Sequence, residues 1–266
     1  MPQWTAEREV SEDDARALIG AQFPALAHRA MVRFGHGWDN TAYLVDDTYV
    51  FRFPRRAIAG PLLANEIAVL PLLAPALPAP IPVPRFVGTP SSAFPWPFAG
   101  YVRIDGTTAC APSVQPSRLL AQQLGTFLRA LHAIDPEPAR AEGLAGDQIG
   151  RLDHTKRFRM SVERFAALQA DGAIGDPAPF LDFLERVAPR SDEASPRVVH
   201  GDLYARHVVV GEDGTLAGVI DWGDLHLGDP ALDLAVGDLL FDDDDLATFL
   251  TAYGQVDPRT NERARY

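Results

Sequence analysis

The sequence predicts an α+β chain in two lobes. Residues 1–104 form an N-terminal five-stranded antiparallel sheet with one helix, and residues 105–266 a mainly helical C-terminal lobe that carries a β-hairpin. Three observations predict this. Up to residue 104, short runs rich in β-branched and aromatic residues alternate with turn residues. From Pro116 the apolar spacing becomes helical, with Leu119, Leu120, Leu124, Phe127, Leu128 and Leu131 on one stripe. Within that helical half, Val208-Val209-Val210 and Leu216 to Ile220 flank a segment containing Asp213-Gly214, the residues a hairpin turn prefers.

In chain order, Ser11 to Phe23 reads as a helix, with Ser11 as its N-cap and Asp14 returning the bond three residues later. Arg29 to Phe34, Thr41 to Val45 and Thr48 to Phe53 read as strands of a meander, joined by the turns Gly35 to Asn40 and Asp46-Asp47. Leu62 to Leu73 is a helix containing Glu66. Pro75 to Pro84, with prolines at 75, 78, 80, 82 and 84, is an extended linker. Arg85 to Gly88 and Phe98 to Ile104 complete the sheet, and Asp105-Gly106 breaks the last strand. Pro116 to His132 is a helix in which His132 is a core or capping residue. Residues 140–149 are a loop, and Thr155 to Ala170 and Pro179 to Ala188 are two further helices. After the hairpin, Gly228-Asp229-Pro230 turns the chain into a helix that begins at Asp233. Asp242 to Asp245 then opens a last helix carrying Leu246, Phe249, Leu250 and Tyr253, where acidic residues favour the helix dipole.

The chain has 266 residues, 47% of them hydrophobic, so a packed core is expected. Cys110 is its one cysteine, which excludes a disulfide framework or a cysteine-rich zinc site and suits a reducing, cytoplasmic setting. The N-terminus is charged, unlike a signal peptide, and prolines interrupt the most apolar region, so no membrane span is expected. A net charge of −12 argues against a nucleic-acid partner. The acid is concentrated between His200 and Asp245, twelve Asp or Glu against one Arg, Arg206. Such a segment attracts cations, Mg²⁺ and an amine-bearing acceptor among them.

The hairpin brings together the polar residues at its ends. His200, Asp202 and His207 precede or enter its first strand and Asp221 leaves the second, so Asp202, His207 and Asp221 converge. Two carboxylates and an imidazole in one place suit divalent metal and proton transfer.

The order is also that of a kinase catalytic core: a catalytic-loop Asp, a metal ligand five residues on, a hairpin and a metal-binding Asp. His200-Gly201-Asp202, Ile220-Asp221-Trp222 and Asp229-Pro230-Ala231-x-Asp233 resemble the aminoglycoside and macrolide phosphotransferases, a branch of the bilobal protein-kinase-like fold. Most of that family has Asn where this chain has His207, and the combination is most similar to the macrolide 2'-phosphotransferases. The resemblance implies Asp202 as the group that receives or orients the acceptor proton, and His207 and Asp221 as holders of Mg²⁺. It implies ATP or GTP as donor, with Gly35, Gly37, Asn40 and Thr41 in the nucleotide loop. Arg52 stands where kinases place a Lys on the phosphates, paired with Glu66, and Tyr101, Val102 and Ile104 lie in the purine-reading hinge. Asp233 would anchor the catalytic loop from behind. The acceptor would be an antibiotic-like small molecule with a hydroxyl, macrolide or aminoglycoside, or alternatively another small metabolite, held by the helices of residues 155–188 and the C-terminal end. Family members usually continue beyond the point that corresponds to Tyr266. Two other readings use the same residues. One is a metal-dependent phosphohydrolase with His200, Asp202, His207 and Asp221 as ligands; the other is a nucleotide-binding scaffold without transfer.

Overall fold

The structure is a computed structural model that describes residues 5–186 and 196–265. Its N-terminal half is an antiparallel sheet of β1 (Met31–His36), β2 (Asn40–Val45), β3 (Tyr49–Pro54), β4 (Pro84–Gly88) and β5 (Phe98–Val102), in the order β1-β2-β3-β5-β4. The Asp46-Asp47 turn has both residues at positive φ, 55° and 50°, the geometry a two-residue hairpin loop requires. Alternation along β3 sorts the side chains onto two faces. Phe51 and Phe53 are fully buried on one face against α1 (Glu12–Gln22), through Leu18 and Ile19. Ala99 and Tyr101 of β5 lie on the other, with Leu63 of α2 (Ala59–Leu73). The sheet is thus covered by two helices, one on each face. The Ser11 capping box with Asp14 forms as the spacing predicts.

Helix α2 begins three residues before the expected Leu62, because Pro61 fits the first turn, where its missing N–H is not needed. With the 3₁₀ turn Ala74–Ala76 it makes an 18-residue stretch of mean hydropathy 1.4, long and apolar enough to cross a membrane by length and composition. That corrects the expectation that no such stretch exists. Here α2 is a core helix: Leu63, Val69, Leu70 and Leu73 are buried and Glu66 is paired.

In the second half, β6 (Thr107–Thr108), β8 (Val208–Val210) and β9 (Leu216–Val219) form a three-stranded sheet, with the expected hairpin as its β8–β9 pair. Strands β7 (Arg197–Val199) and β10 (His226–Gly228) form a second ladder around it. The sheets are backed by α3 (Arg118–Ala133), whose Leu120, Leu124, Phe127, Leu128 and Leu131 are fully buried. It is followed by α4 (Pro136–Ala141), α5 (His154–Ala170), α6 (Ala178–Arg186), α7 (Ala231–Leu240), α8 (Asp243–Tyr253) and α9 (Pro258–Ala264). Asp242 caps α8 and Asp243 to Asp245 fill its first turn, the placement helix electrostatics favours.

Several boundaries differ from expectation. Gly35 lies within β1, opposite Ala42 beside a bulge, so the first turn shrinks to residues 37–39. Strand β5 stops at Val102, although the Arg103 N–H still donates to the Thr48 carbonyl. Residues 136–141, at the edge of the predicted loop, form α4. The helix expected to begin at Asp233 begins at Ala231, and α9 closes the described chain. The predicted end of α6 at Ala188 lies outside the described residues.

Two connections tie the sheet to the hairpin. Gly106, at φ +140°, leads into β6, where Thr107 pairs with Val210; a Cβ on Gly106 would stand 2.5 Å from the Val210 carbonyl. From the Pro-rich linker, the Pro80 carbonyl accepts the Val219 N–H at 3.1 Å.

Candidate active site

The hairpin opens on one side onto the loop of residues 200–207 and on the other onto Asp221. Trp222, fully buried, fixes the second end by donating Nε1–H to the Val219 carbonyl at 2.9 Å. Asp221 itself sits at φ +65°, a conformation rare for a non-glycine residue and characteristic of sites where geometry outranks comfort. The first end is fixed from behind by Asp233 of α7. Its fully buried carboxylate accepts the N–H groups of His200 (2.8 Å) and Gly201 (2.9 Å) and faces His132 Nε2 at 3.0 Å. The Tyr253 hydroxyl lies 2.9 Å from His132 Nδ1. Helices α8, α3 and α7 are thus chained to the loop, and His132 is the buried structural residue the sequence suggested. Burial would raise the Asp233 carboxyl, but its bond to His132 and the loop N–H groups hold it below the usual carboxylate range.

His207, expected beside a metal, is buried on the 3₁₀ turn Ala205–His207. Its Nδ1 is 2.8 Å from the backbone carbonyl of Asp202 and its Nε2 3.2 Å from Asp221 Oδ2. The carbonyl needs a proton on Nδ1, so a neutral ring turns the lone pair of Nε2 toward a carboxylate oxygen. Two acceptors at 3.2 Å are reconciled by a proton or a cation between them. Among the described residues no group of three or more His, Cys, Asp or Glu is arranged around a common metal position. The pair offers one carboxylate and one imidazole, and imidazole is a poorer partner for a hard cation such as Mg²⁺ than an oxygen ligand.

Arg52 of β3 crosses the space between sheet and hairpin. It donates to Glu66 Oε2 and to Asp221 Oδ1, each at 2.8 Å. The expected pairing with Glu66 is present, and the second bond, to Asp221, joins the two halves of the site. The neighbouring Arg52 and His207 hold the Asp221 carboxyl well below its ordinary value against the opposing effect of burial.

The nucleotide-loop residues are grouped on β1, β2 and the turn between them. The Gly37 N–H closes the turn on the Asn40 carbonyl at 2.9 Å, and its carbonyl accepts from Arg55 Nη1 at 2.7 Å. A Cβ on Gly35 would meet nothing within 4 Å and one on Gly37 only the Asn40 carbonyl at 4.0 Å, so the surface beside the turn is open to a close-lying ligand. Asn40 Oδ1, Thr41 Oγ1 and Tyr101 OH are buried without partners. Val102 is exposed, and Ile104 packs toward Gly218 of the hairpin.

Asp202, 34% exposed at its side chain, faces a residue the motifs did not single out: Arg151 Nη1 lies 2.9 Å from its Oδ1. Arg151 also pairs with Asp224. It borders a cavity of about 270 Å³ between α5, α6, α7 and α9.

His200 and His226 make the site sensitive to acid. Burial lowers both imidazoles, against the opposing charges of Asp233 for His200 and Asp147 for His226. The unfolded chain therefore takes up these protons first, and stability falls as pH drops below the ordinary value of 6.5. The slope is at most about 1.4 kcal/mol per pH unit for each group. Glu66, pushed up to about 7 by burial with Arg52 opposing, has the opposite sign between that value and its ordinary 4.5. Comparison with a single variant isolates one share: the melting temperature of His226→Gln should fall less between pH 6.5 and 5 than that of the wild type. Parallel curves would remove His226 from the account.

A family model described as "APH: Phosphotransferase enzyme family" matches residues 30–266. Among solved structures, the GDP complex of wild-type aminoglycoside 2'-phosphotransferase-IIIa superposes with a TM-score of 0.76 at 24% identity, covering 96% of this chain and 87% of that one. Macrolide 2'-phosphotransferase MphH from Brachybacterium faecium gives 0.66 at 24% identity, covering 93% and 87%. Macrolide 2'-phosphotransferase type I gives 0.66 at 25%, covering 98% and 89%. Among curated proteins, uncharacterized protein YcbJ of Bacillus subtilis (strain 168) is 31% identical over 62 residues, 23% of this chain and 20% of that protein. The matched stretch thus spans about a fifth of that relative's length.

Proposed function

Because the chain belongs to the phosphotransferase enzyme family, we propose that it transfers the γ-phosphate of ATP or GTP to a hydroxyl of an antibiotic-like acceptor, macrolide or aminoglycoside. The observation that carries the reading is the bridge from Arg52 to both Glu66 and Asp221, with His207 linking Asp221 to the backbone of Asp202. The reading takes Arg52 as the cation for phosphate, Asp221 and His207 as holders for Mg²⁺ and Asp202, whose backbone carbonyl His207 contacts, as the proton acceptor, in kinase order. The acceptor oxygen attacks the γ-phosphorus, its proton passes to Asp202, and the bond to the bridging oxygen breaks to release the nucleoside diphosphate. Arg52 steadies the phosphates, Glu66 fixes Arg52, and the turn at Gly37 covers them. Asp221 and His207 would hold Mg²⁺, which offsets charge on the phosphate oxygens. Tyr101, Val102 and Ile104 border the purine. We place the enzyme in the cytoplasm, and the two-lobe division at residues 104/105.

The acceptor would lie in the cavity behind Arg151. Arg151, Arg157 and Arg263 line it with Leu152, Leu184 and Leu232, and no carboxylate is among its described lining residues. Arg151 is already paired with Asp202 and Asp224 and Arg263 with Asp229, so the lining is close to charge balance and does not itself separate the two acceptor classes; the motif wording around His207 tilts the choice to a macrolide-like acceptor. Purified protein should be screened with ATP and GTP against macrolides, aminoglycosides and small amino alcohols. The expected result is Mg²⁺-dependent phosphorylation of a macrolide. Phosphate release that needs no acceptor and requires Mn²⁺ or Zn²⁺ would overturn transfer in favour of hydrolysis, and nucleotide binding without turnover would leave a scaffold.

Metal ligation by His207 has its own test. Protonation of a ligating nitrogen ends ligation, so turnover should fall more steeply in acid for the wild type than for His207→Asn. Matching pH–rate profiles would count against it.

A further inference from the structure

We propose that Arg151 is the positioning residue that fixes the Asp202 carboxylate between the nucleotide side of the site and the cavity. The inference rests on Asp202 receiving the acceptor proton, as proposed above.

Arg151 sits in a loop that is itself immobilised. At its base the Leu227 N–H donates to the Ala145 carbonyl at 2.9 Å and Gly146 bridges to Leu227 of β10. At its crown the Asp147 carboxylate accepts the N–H groups of Ile149 (3.0 Å) and Gly150 (2.8 Å) and also that of Arg151. Gly150 takes φ +67° there, and its carbonyl accepts from Arg157 Nε at 2.8 Å. Asp153 then caps α5 through the Lys156 N–H at 3.0 Å. The loop is held from three sides, and the guanidinium leaves it in a set direction.

That guanidinium reaches two other segments. Nη1 meets Asp202 at 2.9 Å and Nη2 meets Asp224. These segments already touch: a Cβ on Gly201, which lies at φ +82°, would stand 2.3 Å from the Asp224 carbonyl. Arg151 therefore pins two carboxylates that flank one backbone contact. A carboxylate on its own turns freely about its last bond; one clamped by a fixed guanidinium presents its second oxygen in one direction. Since Arg151 also borders the cavity, that direction is set by the wall the acceptor meets. A guanidinium does this better than an ammonium, because its fork has two fixed donor edges.

The test compares wild type, Arg151→Gln, Arg151→Lys and Asp202→Asn. In steady-state transfer, or in acceptor-free nucleotide hydrolysis where water takes the acceptor's place, Arg151→Gln should lower kcat about 10- to 100-fold. Its nucleotide KM should stay within about twofold, since Arg52 and Asp221 are untouched, and Arg151→Lys should recover part of the loss. A loss of kcat matched by a rise in KM, with no recovery by Lys, would mark Arg151 as merely structural; turnover within twofold of wild type would overturn the proposal outright. Should wild type and Asp202→Asn prove equally inactive, the functional reading fails, and the clamp is still decided by NMR of the arginine side chains. Arg151 should give a slowly exchanging guanidinium signal that Asp202→Asn abolishes. A signal unaffected by that substitution would sink the clamp.

Discussion

Asp202→Ala should bind nucleotide as tightly as the wild type and transfer phosphate about a thousandfold more slowly, the scale of a lost general base. The separation follows from the arrangement of charges. The groups proposed to serve the phosphates and their cation are joined by Arg52, which meets Glu66 and Asp221 at 2.8 Å each. Asp202 touches that cluster only through its backbone carbonyl on His207, which the substitution leaves in place. Its carboxylate points instead toward Arg151. Calorimetric nucleotide affinity alongside single-turnover transfer separates the two effects. A variant that keeps most of its turnover would show that Asp202 is not the group on which transfer depends.

Asp233→Ala should cost about 3 to 5 kcal/mol of stability, the range for breaking a buried charged network. For a chain of this size that lowers the melting temperature by roughly 10 °C. Both oxygens of Asp233 are engaged, by His200 N–H, Gly201 N–H and His132, and the site is sealed. Truncation strands two backbone donors and an imidazole edge in a dry interior, each costing about 1–3 kcal/mol unless water enters. It also frees the loop that carries Asp202, so stability and turnover should fall together. Thermal denaturation checks the first; a loss below about 1 kcal/mol would mean the loop is held elsewhere.

Much of this site was legible because its parts are local or regularly spaced. Alternation in Val50 to Phe53 puts Arg52 on the face opposite Phe51 and Phe53, and the helix after it brings Glu66 under that face. Asp213-Gly214 between apolar runs gives the hairpin, and the hairpin brings Asp221 back to His207. What escaped depends on distant partners. Strands β6, β7 and β10 are two or three residues long and have no period of their own; they exist because Val210, Val199 and their neighbours offer ladder partners. Arg151 was missed because nothing in spacing marks an arginine that reaches across the chain. A local signal did surround it: Asp147 three residues before a glycine, and a capping Asp153 two residues after Arg151.

The two ties between sheet and hairpin, at Pro80 and Thr107, lie on the side where the chain passes from one half to the other. Gly106, pressed against the Val210 carbonyl, has no room for even a methyl group. Any movement of the sheet relative to the hairpin would have to turn about the seam these ties form, and would have to break the Arg52–Asp221 pair on the other side of the cleft. A side chain placed at residue 106 should therefore unseat β6 from Val210 before it disturbs the Gly37 turn.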